Sequence, residues 1–167
     1  IARLDLCQNI NIVHDINAYD LRMEKTMSVS VAYSTSAIAN GGRDGKSKTL
    51  DGAFEVTLAT PKELGGDDKG NNPEQLFAAG YAACFLGAMK YVASQDKAIS
   101  IPSDATVQAN VGIGPRSNGG FGLVVSLDVS LPGYDAAQAA QLFEKTHHVC
   151  PYSNATKGNL DVATNLV

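Results

Sequence analysis

The feature of the sequence that most constrains the fold is an apolar stretch at residues 72–92, NPEQLFAAGYAACFLGAMKYV. Its central part carries no acidic or basic side chain. Asn72 is a good helix N-cap, Pro73 suits the first helical position, and Gln75 can complete a capping box. The pattern predicts one long helix, ending near Ser94, that is apolar almost all round and therefore buried on most of its sides.

Strands are predicted on both sides of this helix, because apolar and polar residues alternate in five other segments. A second helix is predicted at 135–148. The order strand–strand–helix–strand–strand–helix–strand places most strands in hairpins, so the predicted class is α+β with mostly antiparallel sheet. The predicted strands are 27–37 with Val29, Val31 and Tyr33 on one face, 53–60 with Phe54, Val56 and Leu58, 105–114, 121–131 and 159–166, and the apolar positions of the second helix are Ala137, Ala140, Leu142 and Phe143.

Composition and charge exclude several classes of protein. The chain has 167 residues, 44% of them hydrophobic and 18% charged, which is typical of a single globular domain. A net charge of -4 gives no basic surface for nucleic acid or an anionic membrane. No apolar run reaches the roughly eighteen uninterrupted residues of a membrane span. Three cysteines are too few for a disulfide scaffold, so we expect a reducing, cytoplasmic compartment.

Residues 1–22, IARLDLCQNINIVHDINAYDLR, follow neither the helical nor the strand period. We expect a non-native or disordered leader there, followed by one domain at 23–167, with Met23 or Met27 as the native start. The alternative is a genuine extension that docks on the domain. Cys7 lies in this segment and is given no role.

Two thiols remain, Cys84 within the apolar helix and Cys150 at the end of the second helix. A buried cysteine is usually an inert core residue, and burial raises the pKa of a thiol. A position in the middle of a helix gains little from the helix dipole, so Cys84 would need a cation from elsewhere in the chain to be a thiolate. Cys150, beside Pro151 and a flexible turn, is either a core residue or a thiol that can move to form a disulfide.

Other kinds of site are weakly supported. His147, His148 and Cys150 are poorly spaced for zinc, and GIGPRSNGG at 112–120 joins two strands, so neither a metal nor a dinucleotide is expected. Arg43, in the turn GGRDG, is either a solvent-exposed turn residue or a bidentate partner for Glu74. A glutamate in the first turn of a helix is also favourable by itself.

With their surrounding motifs, these residues resemble the organic hydroperoxide resistance (Ohr) proteins of the Ohr/OsmC group. The resemblance covers 27–167 and implies an OsmC-like α+β fold, an intertwined homodimer with sheets wrapped around long central helices, and sites at the dimer interface. It implies a thiol peroxidase for alkyl and fatty-acid hydroperoxides, with no cofactor or metal, that a dihydrolipoyl protein or another dithiol recycles. The motifs are GGRDG at 41–45, TPKELGG at 60–66, NPEQLFAAGYAACFLGAMK at 72–90 and CPYSNATKGN at 150–159.

By position, the resemblance makes Cys84 the peroxidatic cysteine, Cys150 the resolving cysteine, and Arg43 with Glu74 the catalytic pair. A guanidinium near the Cys84 sulfur would favour the thiolate, and Glu74 would hold that guanidinium in place. Glu74 and Cys84 are separated by ten residues, or roughly 15 Å along a helix, so they cannot touch. Arg43 is therefore expected to lie between them in the reduced state and to swing away on oxidation.

Phe77 and Tyr81 are expected to line an apolar groove that prefers alkyl peroxides. Two other functions are compatible with the same residues. One is a dimeric binding protein for apolar small molecules with non-catalytic thiols. The other is a Cys–His hydrolase that uses Cys84 with His147 or His148, for which the sequence supplies no clear orienting acid.

Overall fold

The computed structural model describes residues 29–167, and the predicted leader lies outside the described residues. A compact unit, Ser36–Val167, carries the helices and strands of the described chain, and residues 29–35 belong to a separate unit. The strand predicted at 27–37 is wrong over 29–36, which pairs with no strand of the described chain. Val29, Val31 and Tyr33 are consequently 74–80% exposed instead of half-buried.

The first sheet is antiparallel, in the order β1 (Ala37–Asn40), β2 (Lys46–Thr49), β3 (Glu55–Thr57). The predicted turn GGRDG joins β1 to β2. Its first two residues, Gly41 and Gly42, have positive φ angles of 70° and 60°, which glycine adopts without strain. Strand β2 was not predicted, because KSKT is polar throughout and shows no apolar alternation. The strand predicted at 53–60 is shorter than expected, and Phe54 is 46% exposed.

Helix α1 (Pro73–Gln95) confirms the predicted apolar helix and its cap, but the prediction that it is buried on most of its sides is wrong within one chain, because only one face is buried. The Asn72 side chain accepts a hydrogen bond from the Gln75 amide at 2.9 Å, and the Gln75 side chain accepts one from the Asn72 amide at 3.1 Å. The helix is long and apolar enough to pass for a membrane span, yet one face packs into the protein, so α1 is a core helix. That face comprises Tyr81, Phe85, Ala88, Met89 and Val92, and the opposite, exposed stripe comprises Ala79, Ala83, Gly87 and Tyr91.

The second sheet has the order β4 (Thr106–Pro115), β5 (Phe121–Ser130), β6 (Val162–Leu166). Strands β4 and β5 form a long antiparallel hairpin in which Val111 pairs with Val125. Strand β6 pairs with β5 in parallel, because two helices return the chain to the start of the sheet before β6 begins. The predicted α+β class with mostly antiparallel sheet is confirmed, with one parallel pair.

Helices α2 (Ala136–Val149) and α3 (Pro151–Thr156) form this return connection. The prediction that Ala137 and Ala140 face the core is wrong, since both are exposed. The buried face is set by the spacing i, i+3, i+4, i+7, and its residues are Ala139, Leu142, Phe143 and Thr146.

The hydrophobic core lies between the second sheet and helices α1 and α2. The predicted inner face of β5 is confirmed at Val125, Leu127 and Val129, which are at most 2% exposed. Burying one such side chain stabilises the fold by about 1.5–3 kcal/mol. Cys150 belongs to this core and Cys84 packs at its edge, so the fold itself brings the two thiols to one place.

Candidate active site

The two predicted thiols lie side by side, although they are 66 residues apart in the chain. The Sγ atoms of Cys84 and Cys150 are 3.5 Å apart, and both residues are free cysteines. Cys84 is half-buried, whereas Cys150 is fully buried. A disulfide has an S–S length of about 2.05 Å, so a short approach of the two sulfurs would be enough to form one.

Cys150 is held where α2 ends and α3 begins. Its amide donates to the Thr146 carbonyl at 2.8 Å, and its own carbonyl accepts from the Asn154 amide at 3.0 Å. Pro151 cannot continue α2, but it suits the first position of α3. The flexible turn predicted beside Cys150 is therefore wrong, because the chain continues directly into a helix.

The local environment of Cys84 opposes ionisation. Burial raises the pKa of the Cys84 thiol above its ordinary value, and the neighbouring Cys150 thiol also raises it. The backbone amide of Tyr152 donates to the sulfur and lowers the pKa, but it does not reverse the shift. The pKa of Cys84 is thus raised and not lowered as expected, because no guanidinium of residues 29–167 contributes to it.

Arg43 and Glu74 form the bidentate pair that the sequence suggested. Arg43 Nη1 donates to Glu74 Oε2 at 2.8 Å, and Nη2 donates to Oε1 at 2.6 Å. The Glu74 side chain is only 13% exposed, and the hydrogen bonds from Arg43 hold the pKa of its carboxyl below its ordinary value. Asp44 fixes the turn by accepting from the Thr60 amide at 2.8 Å and from its hydroxyl at 2.9 Å.

The expected position of Arg43 between Glu74 and Cys84 is wrong for this structure. Within the described chain, the Arg43 side chain donates its hydrogen bonds to Glu74 and none to Cys84. Two parallel charge-assisted hydrogen bonds hold the guanidinium at the N-terminal end of α1. Cys84 lies ten residues beyond Glu74 on that helix, which is a rise of roughly 15 Å along its axis.

An aromatic cluster of Phe77, Tyr81 and Tyr152 lies beside the thiols, with ring centroids 5.7–5.9 Å apart. Phe77 is partly buried, whereas Tyr81 is fully buried and borders a cavity of about 780 Å³ together with His147 and Ser153. Gly80 makes room for Tyr152, since a Cβ at this position would lie 2.8 Å from the tyrosine hydroxyl. Tyr152 was missed, although an aromatic residue two positions after a candidate thiol was a usable signal.

A cavity of about 430 Å³ opens beside the ion pair. Glu74 is on its wall, and most of the remaining wall is aliphatic. This arrangement places a carboxylate and its bound guanidinium next to a surface suited to alkyl groups. The aliphatic lining residues are Leu64, Ala78, Ala109, Val111 and Ile113.

His147 is engaged with hydroxyl groups and not with sulfur. Its Nδ1 lies 2.9 Å from Ser153 Oγ and its Nε2 lies 2.7 Å from Thr164 Oγ1. Both ring nitrogens are therefore used, which leaves none for zinc or for activation of Cys84. Across residues 29–167, no three His, Cys, Asp or Glu side chains are grouped as metal ligands.

Comparisons with known proteins agree on one family. Residues 66–165 match the family described as OsmC-like protein. The chain is 53% identical to the organic hydroperoxide resistance protein of Xanthomonas axonopodis pv. citri, over 81% of this chain and 95% of that protein. A putative organic hydroperoxide resistance protein of Vibrio cholerae, crystallised with captopril in one of its active sites, is 46% identical, with a TM-score of 0.78 over 84% of this chain and 95% of that one. OhrB of Bacillus subtilis is 38% identical, with a TM-score of 0.73 over 82% of this chain and 100% of that one.

Proposed function

The chain belongs to the organic hydroperoxide resistance (Ohr) proteins of the OsmC-like family, and we propose that it is a thiol peroxidase that reduces organic hydroperoxides to alcohols. The observation that carries the proposal is the 3.5 Å separation of the Cys84 and Cys150 sulfurs. Cys84 is partly exposed and can meet a peroxide, whereas Cys150 is buried and lies within reach of the Cys84 sulfur. An inert pair of core cysteines would not need this difference in exposure.

The proposed reaction has two steps. The Cys84 thiolate attacks the distal peroxide oxygen, the O–O bond breaks, and the alkoxide leaves as the alcohol after taking a proton. Cys84 becomes a sulfenic acid, and the Cys150 sulfur then displaces its hydroxyl group as water, which forms the disulfide. An external dithiol, such as a dihydrolipoyl protein in a reducing cytoplasm, restores both thiols by exchange. No metal or organic cofactor enters this cycle.

Apolar substrates are favoured by the surroundings of the proposed site. The cavity beside Glu74 is lined mainly by aliphatic side chains. Phe77 and Tyr152 add aromatic surface near the thiols, and Tyr81 supports them from beneath. An alkyl or fatty-acyl group gains free energy by leaving water for such a surface, whereas hydrogen peroxide gains none.

A homodimer would complete the site. The exposed stripe of α1 and the exposed Leu50 and Phe54 in the connection between β2 and β3 are apolar surfaces that a second copy of the chain would cover. Ala79 lies midway between Glu74 and Cys84 on α1. Two antiparallel copies of α1 that cross at Ala79 would bring Glu74 of the partner subunit, with its bound arginine, level with Cys84. This arrangement would offer a source for the cation that Cys84 lacks among residues 29–167 of its own chain.

The proposed dimer is tested by its mass in solution. We expect light scattering to give twice the 17.5 kDa of one chain. Ala83→Arg should give monomers, because it places a charge on the exposed stripe of α1 that is proposed to be buried between the helices. Ala137→Arg is the matched control, since Ala137 is equally small and exposed but lies on α2. An Ala83→Arg protein that keeps the dimer mass would contradict the proposed interface.

The proposed chemistry is tested by mass spectrometry of the reduced protein after one equivalent of cumene hydroperoxide. We expect a loss of two hydrogen atoms and a Cys84–Cys150 linked peptide after proteolysis. The same amount of hydrogen peroxide should give much slower disulfide formation. Thiols that stay unchanged under cumene hydroperoxide would instead favour a binding protein for apolar small molecules.

A further inference from the structure

A chain of hydrogen bonds brackets the buried thiol of the site. His147 precedes Cys150 by three residues and Ser153 follows it by three, and the two side chains are hydrogen bonded at 2.9 Å. The second nitrogen of His147 reaches Thr164 of β6 at 2.7 Å, and the Ser153 hydroxyl reaches the Tyr81 hydroxyl of α1 at 2.9 Å. The side chains of His147 and Ser153 thereby link α2 and α3, which meet at Cys150, to β6 and to α1.

The imidazole is itself fixed in place. Its ring lies 4.8 Å, centroid to centroid, from Phe85, the residue that follows Cys84 on α1. Burial lowers the pKa of His147, so the ring is neutral near pH 7, with one nitrogen donating and the other accepting. Each of the hydroxyls of Tyr81, Ser153 and Thr164 then has a partner, and the chain of hydrogen bonds can run in either direction.

We propose that His147 is a positioning residue for disulfide formation, because its hydrogen bonds to Ser153 and Thr164 hold the α2–α3 junction so that Cys150 stays within reach of Cys84. The inference rests on the proposed peroxidase cycle. In the step concerned, a Cys84–Cys150 bond forms, the S–O bond of the Cys84 sulfenic acid breaks, and the Cys150 proton leaves with the hydroxyl group as water. The backbone contacts of Cys150 are local to α2 and α3, so the link through His147 ties this junction to β6 and, through Ser153, to α1.

The same geometry separates the two steps of the cycle. Within the described chain, His147 makes its side-chain hydrogen bonds to Ser153 and Thr164, and none of them reaches Cys84, Arg43 or Glu74. Loss of the imidazole should therefore leave the oxidation of Cys84 unchanged and slow only the condensation with Cys150. A sulfenic acid that persists is exposed to a second peroxide, which oxidises it to the sulfinic acid.

The test compares His147→Leu with His148→Leu, because His148 is the adjacent residue and is exposed, and among residues 29–167 its side chain makes no hydrogen bond. Reduced proteins are mixed with cumene hydroperoxide, quenched at intervals, and analysed by mass spectrometry for dimedone-trapped sulfenic acid, disulfide and sulfinic acid. In His147→Leu we expect an unchanged rate of Cys84 oxidation, a sulfenic acid that persists about tenfold longer or more, and more sulfinic acid under excess peroxide. His148→Leu should behave as the wild type.

Two hydroxyl variants keep the test independent of folding, and a third variant tests rescue. Thr164→Val and Ser153→Ala each remove one hydroxyl from the chain and should show the same effect in smaller measure, and His147→Gln should restore part of the wild-type rate. Wild-type disulfide formation in His147→Leu, or an equal slowing of both steps, would overturn the inference. If His147→Leu does not fold, wild-type kinetics in both hydroxyl variants would overturn it. An absence of any oxidised cysteine in the wild type would instead overturn the proposed function.

Discussion

Replacing Cys84 with serine is expected to lower the rate of organic hydroperoxide reduction about a thousandfold or more. The reason is chemical, since a serine hydroxyl is not ionised near pH 7 and is a far weaker nucleophile towards peroxide than a thiolate. The two side chains are nearly equal in size, so the packing of α1 should persist. The measurement is consumption of cumene hydroperoxide with a dithiol reductant, with thermal unfolding as the check on the fold.

Cys150→Ser is the matched control for this prediction. The variant should oxidise Cys84 at the wild-type rate in a single turnover, because the attacking sulfur is intact. It should then accumulate sulfenic or sulfinic acid instead of disulfide. Activity of Cys84→Ser within tenfold of the wild type would show that the peroxide reacts elsewhere.

The second large effect is expected from Arg43→Ala, which should lower the peroxidase rate about a hundredfold. Within one chain, burial raises the pKa of Cys84, and the structure provides no cation beside its sulfur among the described residues. If the Arg43–Glu74 pair of the partner subunit stabilises the thiolate, its loss should raise the Cys84 pKa further. Titration of thiolate absorbance near 240 nm measures this directly. Lys46→Ala is the control, because it removes one exposed positive charge from the strand that follows the same turn.

The pH dependence of the rate follows from the two pKa shifts. The rate should rise with pH as Cys84 ionises. Glu74 has a pKa lowered by Arg43, so the ion pair is fully present above the ordinary glutamate pKa and is lost only as pH falls through the lowered value. Above the ordinary glutamate pKa, the pair should therefore add no pH dependence of its own to the rate. A rate that falls together with a single glutamate-like titration above pH 5 would contradict this assignment.

Mixed dimers decide whether the arginine acts across the interface. A dimer of one Arg43→Ala subunit and one Cys84→Ser subunit contains one intact thiol opposite one intact arginine. We expect it to recover about half of the wild-type activity, because one of its two sites is complete. Activity no higher than that of the Arg43→Ala homodimer would mean that the arginine serves the thiol of its own chain.

The sequence predicted those parts of the fold that periodicity and caps encode locally. Helix α1 begins where Asn72 and Gln75 indicated, and β4 and β5 follow the alternation of their apolar residues. Strand β2 was missed because all its residues are polar and its pairing with β1 and β3 is a tertiary property. The buried face of α2 was misplaced because alanine fits either side of a helix, so only Leu142 and Phe143 carried a signal.

The sequence predicted which residues belong to the candidate site better than it predicted the contacts between them. Arg43 and Glu74 were identified as a pair, since a carboxylate beside an apolar helix needs a partner, and the structure joins them. The separation of Glu74 from Cys84 was also predicted, but not that both hydrogen bonds of the Arg43 guanidinium go to Glu74, because that choice depends on the tertiary contact between the turn and α1. The link from His147 to Thr164 was also invisible, because it depends on the parallel return of β6 beside β5.

If the proposed cycle operates, the unequal burial of the two sulfurs also sets the regiochemistry of recycling. Cys150 has no exposed surface, whereas Cys84 is half-buried. In the proposed cycle, an incoming dithiol would therefore strike the sulfur of Cys84, and Cys150 would depart first as the leaving group. The mixed disulfide with the reductant would then be carried on α1, and the interior thiol would be regenerated without meeting solvent.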